Sequence, residues 1–146
     1  MRSLNIIALC IFSAVIYGIL HDQITARVSV EYFTIGHPPV FPTRSPTLLG
    51  LGWGIIATWW VGLLLGVPLS IAARAGPRLK RGLRSLVRPI VLLLLVMGFC
   101  ALLAGVIGYC LGVAEIVTLI EPETTLVPKA RHARFLAAIW SHTDLI

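Results

Sequence analysis

Three long stretches without a charged residue organise this chain: Leu4–Leu20, Leu48–Ala73 and Pro89–Ala114. Apolar runs of about 17–25 residues match a hydrocarbon slab roughly 30 Å thick, so each run predicts a membrane-spanning helix. Between the second and third runs lies Arg74–Arg88, with six basic residues and no acid. Short basic loops remain on the cytoplasmic side. The pattern therefore predicts an all-α integral membrane helical bundle with its amino end and the 74–88 loop in the cytoplasm. Three transmembrane helices span about 4–20, 48–73 and 89–114, and residues 21–47 form an outer loop. Residues 115–146 form a second outer segment ending in a helix that is amphipathic or the start of a fourth span. Cleavage after Ala26 as a signal peptide is the competing fate of the first run. That run exceeds the usual apolar core of about 7–15 residues, and Ile24-Thr25-Ala26 is a poor cleavage site, so a retained helix is expected.

Within the outer loop, Ile24, Ala26, Val28, Val30 and Tyr32 alternate with polar residues, which fits a half-buried extended segment. Ser29 as the N-cap of a short helix with Glu31 in its first turn is the alternative. Pro38, Pro39, Pro42 and Pro46 then exclude regular structure. Thr47 is placed to cap the second span, Pro68 to bend it, and Gly76-Pro77 to end it. Pro89 suits the first turn of the third. On a helical wheel Arg78, Arg81, Arg84 and Arg88 share one side and Leu79, Leu83 and Leu86 another, so the basic loop suits contact with anionic lipid headgroups. A solvated connector is the plainer alternative.

The small residues carry packing information. Gly50, Gly54, Thr58, Gly62, Gly66 and Ser70 recur every fourth position in the second span, and Cys100, Ala104, Gly108 and Gly112 do so in the third. Lipid gives helices little hydrophobic reason to associate, so close backbone approach over small side chains is the route to packing. The expectation is that these two faces meet, with Gly50, Gly54 and Thr58 near Ala104, Gly108 and Gly112. Use of one face by a protein partner or a homo-oligomer is the alternative.

Composition agrees with the pattern: 58% of residues are hydrophobic, only 12% are charged, and mean hydropathy is +0.93. These values lie outside the soluble globular range. The net charge of +6 sits largely in one inter-span loop, so it argues for lipid and against nucleic acid. Cys10, Cys100 and Cys110 fall in or near spans, as small apolar packers without a disulfide.

By this topology the histidines and acids lie on the outer side. Imidazole and carboxylate together suit zinc or a similar divalent ion, and His21, Asp22, Glu31, His37 and His132 are the candidate ligands. Their spacing matches no recognised ligand motif. His142 shares a helix face with Phe135, Ala138 and Ile139 and is expected to be a structural histidine bonded to a neighbouring helix. Ser13, Ser29 and Ser70 have no identifiable base, which argues against covalent catalysis. No ionisable residue lies mid-span, which disfavours a transporter. Gly50-Leu-Gly-Trp-Gly54 lacks the third glycine of a dinucleotide loop. A non-enzymatic membrane component that packs or binds a partner through 21–47 is the leading expectation, without a cofactor. A metal-dependent outer-face site is the alternative.

His21-Asp-Gln-Ile-Thr25, Ser29-Val-Glu-Tyr-Phe33 and the run from Trp53 to Gly62 resemble a family of small uncharacterised bacterial multi-pass inner-membrane proteins. The resemblance covers about the first half and the layout of the spans. It implies a bacterial plasma-membrane location and an important outer loop, but no reaction. In that family the last segment leads into a further span.

The topology is checked with single cysteines in a background lacking Cys10, Cys100 and Cys110. A membrane-impermeant maleimide applied to intact cells is expected to label a cysteine at Val40 and to spare one at Gly82, and the reverse pattern overturns the orientation.

Overall fold

The computed structural model describes residues 2–74 and 83–142, and among these every regular element is helical. Three long helices, α1 (Arg2–Val28), α3 (Pro46–Ala72) and α4 (Leu83–Val113), are apolar and long enough to cross a bilayer. Short helices α2 (Glu31–Thr34) and α5 (Glu123–Leu126) and a 3-10 turn (Lys129–Arg131) connect them to α6 (His132–His142). Many side chains of the long helices face outward, Phe12 at 68%, Leu64 and Leu95 at 65% and Leu102 at 62% exposure. That is the surface a lipid-solvated bundle presents.

The boundaries differ from the sequence pattern in ways that matter. Helix α1 does not stop at Leu20 but runs on through His21, Asp22 and Ala26, so the extended segment expected there is helical. The polar last turns satisfy one another: Arg27 donates to the Gln23 side-chain oxygen at 2.6 Å and to Thr47 Oγ1 at 3.2 Å, and Gln23 Nε2 donates to the Thr47 carbonyl at 2.9 Å. A cation in the last turn also complements the helix dipole. Alternation of polarity was the misleading signal, because a helix packed on one side and bonded on another also scatters its apolar positions.

The short helix α2 exists, but Val30 is its N-cap residue and no side chain caps it; the Ser29 hydroxyl donates instead to the Glu31 carboxylate at 3.0 Å. Helix α3 begins at Pro46 with Ser45 as its N-cap, not at Thr47, and Pro68 lies inside it. Pro89 is likewise interior to α4 rather than at its start. Arg84 and Arg88 are exposed on the first turns of α4. Arg78, Arg81, Gly76, Pro77 and Asp144 lie outside the described residues. Beyond α4 the chain turns through Glu115, a non-glycine residue with φ of 57°.

The small-residue face of α3 is buried along its whole length, but against α1 and not against α4. A Cβ on Gly62 would stand 2.6 Å from Ile11 Cα, one on Gly54 2.6 Å from Ile19 Cα, and one on Gly50 2.8 Å from the Asp22 carbonyl. Each step of one turn along α3 matches one turn back along α1, as in an antiparallel pair whose backbones touch. The α4 face meets α6 instead: Gly112 faces Ala133 and Leu136, Gly108 faces Trp140, and Gly105 faces Ala137 and Ser141. Helix α6 thus runs antiparallel beside the C-terminal half of α4, and is not laid flat across its end. The expected pairing fails because both glycine faces are met by backbone or rings from other helices.

Two apolar clusters close the end of the bundle that carries α2. Ala26, Phe33 and Leu49 form one, and Leu119, Val127, Phe135 and Leu136 form the other; Tyr32 touches both. Burial of Phe33, Val127 and Phe135, each 3% exposed or less, contributes about 1.5–3 kcal/mol apiece.

A cysteine at Gly66 tests the α1–α3 pairing, because its Cβ would lie 3.1 Å from Cys10 Cβ, a few tenths inside the usual disulfide spacing of about 3.5–4.5 Å. Mild oxidation of Gly66→Cys is expected to join the peptides carrying residues 10 and 66 in the mass spectrum. Joining of residue 66 to Cys100 or Cys110 instead would overturn it.

Candidate functional site

The extra two turns of α1 place His21 and Asp22 inside the helix bundle and not in a loop. Thr25 Oγ1 donates to the His21 carbonyl at 3.2 Å, a local bond that keeps its hydroxyl within the helix. Gly18, one turn below, lies against Thr58 and the Gly54 carbonyl of α3, and Gly50 receives the Asp22 backbone. Close approach on one side of α1 leaves its other side open to α6, whose last residue brings an imidazole to Asp22.

Among the described residues, His21, Asp22 and His142 bring one ligand atom each to within 4.8 Å of one another. Asp22 is 5% exposed, and its Oδ1 lies 3.2 Å from His142 Nε2. The proton positions follow from the acceptors. His142 Nδ1 is 2.8 Å from the Ala138 carbonyl, which only accepts, so Nδ1 carries a hydrogen. Nε2 then faces a carboxylate, and one proton shared between them satisfies both, either as imidazolium and carboxylate or as a neutral pair. Such a pair anchors α6 to α1 across 120 residues of chain.

The surrounding groups form an aromatic box. The His21 and His142 rings meet edge to face with centroids 4.5 Å apart, and Tyr32 lies over His142 at 4.5 Å. His37 packs on Tyr32 at 4.6 Å and on Trp53 at 4.7 Å, and its Nδ1 donates to the Tyr32 carbonyl at 2.9 Å. Burial, with the Asp22 charge adding to it, pushes the Tyr32 hydroxyl above its ordinary range, so the phenol is neutral at physiological pH. A cavity of about 40 Å³ lies among these rings, bordered by Thr58 and Gly18 below. That volume suits an ion with a water and excludes an organic substrate.

Of the five ligands expected from the sequence, His21 and Asp22 enter this group, and His37 stands in the cavity wall. Glu31 is engaged elsewhere, its Oε1 3.2 Å from Arg131. His132 is also apart, with Nε2 2.9 Å from the Val127 carbonyl. The residue that composition and spacing left out of the ligand set is His142. Its separation from Asp22 hid it, although its place on the apolar face of α6 was the available signal. Comparison with protein-family models, curated proteins and solved structures finds no match to this chain.

The buried pair and the exposed one differ in energetic weight. Removing one partner of a buried ion pair costs about 3–5 kcal/mol, whereas an exposed pair is worth about 0–1 kcal/mol. Asp22→Ala is therefore expected to destabilise the detergent-solubilised protein by about 3 kcal/mol in denaturant unfolding followed by tryptophan fluorescence. Arg131→Ala, at a 44% exposed side chain, should cost less than about 1 kcal/mol. Equal losses would mean that the His142–Asp22 contact carries no special weight.

Proposed function

We propose that this chain is a multi-pass protein of a bacterial plasma membrane, amino end in the cytoplasm, that holds one divalent metal ion of the zinc class at His21, Asp22 and His142. The observation that carries the reading is the convergence of three ligand atoms within 4.8 Å, with the far nitrogen of His142 already committed to a carbonyl. Histidine ligands of metals commonly donate their second N–H in this way, which fixes the tautomer that offers the other nitrogen to the ion. Zinc bound at about 2.0–2.1 Å in tetrahedral geometry sets neighbouring ligand atoms roughly 3.3 Å apart. The 3.2 Å between Asp22 Oδ1 and His142 Nε2 meets that spacing, and a side-chain rotation of His21 completes it. The ion replaces the proton the pair shares.

Three protein ligands leave a fourth position open, as in sites that bind a ligand at the metal. The hydroxyl of Ser141, beside His142, donates to the Ala138 carbonyl at 2.9 Å, so the reading is binding and organisation of the bundle. Ionisable side chains inside an apolar helix are costly to keep, which favours a dedicated use for His21 and Asp22. A second reading, a metal-free membrane component, rests on the same 3.2 Å contact, which fastens α6 to α1 by a proton alone.

Metal analysis of mildly purified protein distinguishes the two. About one equivalent of a divalent transition metal per chain is expected. Affinity should fall at least about tenfold in His142→Ala and in Asp22→Ala while remaining unchanged in Glu31→Gln and His132→Ala. Less than a tenth of an equivalent, with none taken up on adding zinc, overturns the metal reading.

A further inference from the structure

His21 borders two spaces. On one side it lines the small cavity beside Asp22 and His142, and on the other it forms the polar end of a larger cleft between α1, α4 and α6. That cleft holds about 320 Å³, within the range of small-molecule sites. Ile24 and Leu102 of its lining are 65% and 62% exposed on helices long and apolar enough to span a membrane, which puts these residues in reach of lipid. Its floor is Ala101 and Ala138, both buried, and Gly98, whose added Cβ would meet only Tyr17 Cε2 at 3.6 Å, leaves it unfilled.

The polar groups along it are mostly committed. Thr25 and Ser141 donate their hydroxyls to the His21 and Ala138 carbonyls. The cleft therefore has an apolar body with chemistry concentrated at its His21 end. A divalent ion held by one carboxylate and two neutral imidazoles retains a single positive charge, and an uncompensated charge away from water is expensive. One small anion at the open coordination position balances it. An amphiphile delivered through the lipid satisfies both demands at once.

We propose that the cleft binds a long-chain monocarboxylate, its chain along α1 and α4 and its carboxylate at the His21 side of the metal. The headgroup part rests on the metal reading given above; the chain part rests on the shape and lining of the cleft. A fatty-acid carboxylate is favoured over a phospholipid headgroup because the space beyond His21 is only about 40 Å³.

Native mass spectrometry of the detergent-solubilised full chain reads zinc and amphiphile on the same ion. With zinc and oleate added, one oleate per zinc-loaded chain is expected. Oleyl alcohol, which has the same chain without the charge, should bind at least fivefold less. Gly98→Leu adds a branched side chain to the cleft lining at a position whose Cβ meets only Tyr17 Cε2, at an ordinary 3.6 Å. That variant should retain zinc and lose oleate at least fivefold. Equal oleate on Gly98→Leu and wild type, or equal binding of oleyl alcohol, overturns the proposal. Displacement of oleate by an equimolar phosphatidylglycerol overturns the choice of a monocarboxylate. Chains that carry zinc but ignore oleate remove the cleft assignment and leave the metal site standing. Oleate on chains that take no zinc removes the metal reading and the carboxylate–metal contact with it.

Discussion

Backbone contact between α1 and α3 is the constraint on which the rest of this protein depends. In lipid, water does not drive two apolar helices together, so adhesion comes from van der Waals contact over faces without large side chains. Gly54 against Ile19 and Gly62 against Ile11 supply that contact over nearly the full length of both helices. The pairing holds α1 upright past the end of its apolar run. There the Gln23, Arg27 and Thr47 bonds take over from packing and carry the helix to Val28. Without that extension His21 and Asp22 would occupy a loop, with no fixed relation to any other side chain.

The second consequence is electrostatic. Asp22 is buried by the same packing that positions it, and a buried carboxylate requires a partner. Helix α6 provides it by descending along α4 over Gly112, Gly108 and Gly105, which brings His142 to the right depth. The glycines of α4 thus act as a track for α6, and the Asp22–His142 contact is the stop at its end. Tyr32 locks the arrangement, because it packs against both apolar clusters and covers the His142 ring. Packing, charge pairing and the aromatic cover all converge on one small cavity, and the proposed ion and amphiphile use the faces this convergence leaves open.

How much of this was legible along the chain differs from residue to residue. The repeat of small residues in α3 marks a packed face without ambiguity, since close approach needs that spacing and nothing else produces it. It does not say which helix lies opposite, because Gly108 and Gly112 of α4 offer the same chemistry as the actual neighbour, α1. His21 and Asp22 were legible as candidate ligands from residue type alone. His142 was legible as a structural, bonded histidine on the apolar face of α6. That its partner is Asp22 was not, because nothing in local spacing links two residues 120 positions apart. Glu31 and His132 share the ligand chemistry, yet Arg131 and the Val127 carbonyl hold them elsewhere.

The linear order of residues determines, by itself, three apolar helices and the face of α3 that packs, because span length and small-residue periodicity are local properties. Its basic inter-span loop sets the expected orientation. Tertiary structure alone decides that α1 pairs with α3, that α6 follows α4, and that His142 meets Asp22. These depend on which of several equivalent surfaces come into contact, and contact energy in lipid is a property of two fitted faces rather than of either one alone.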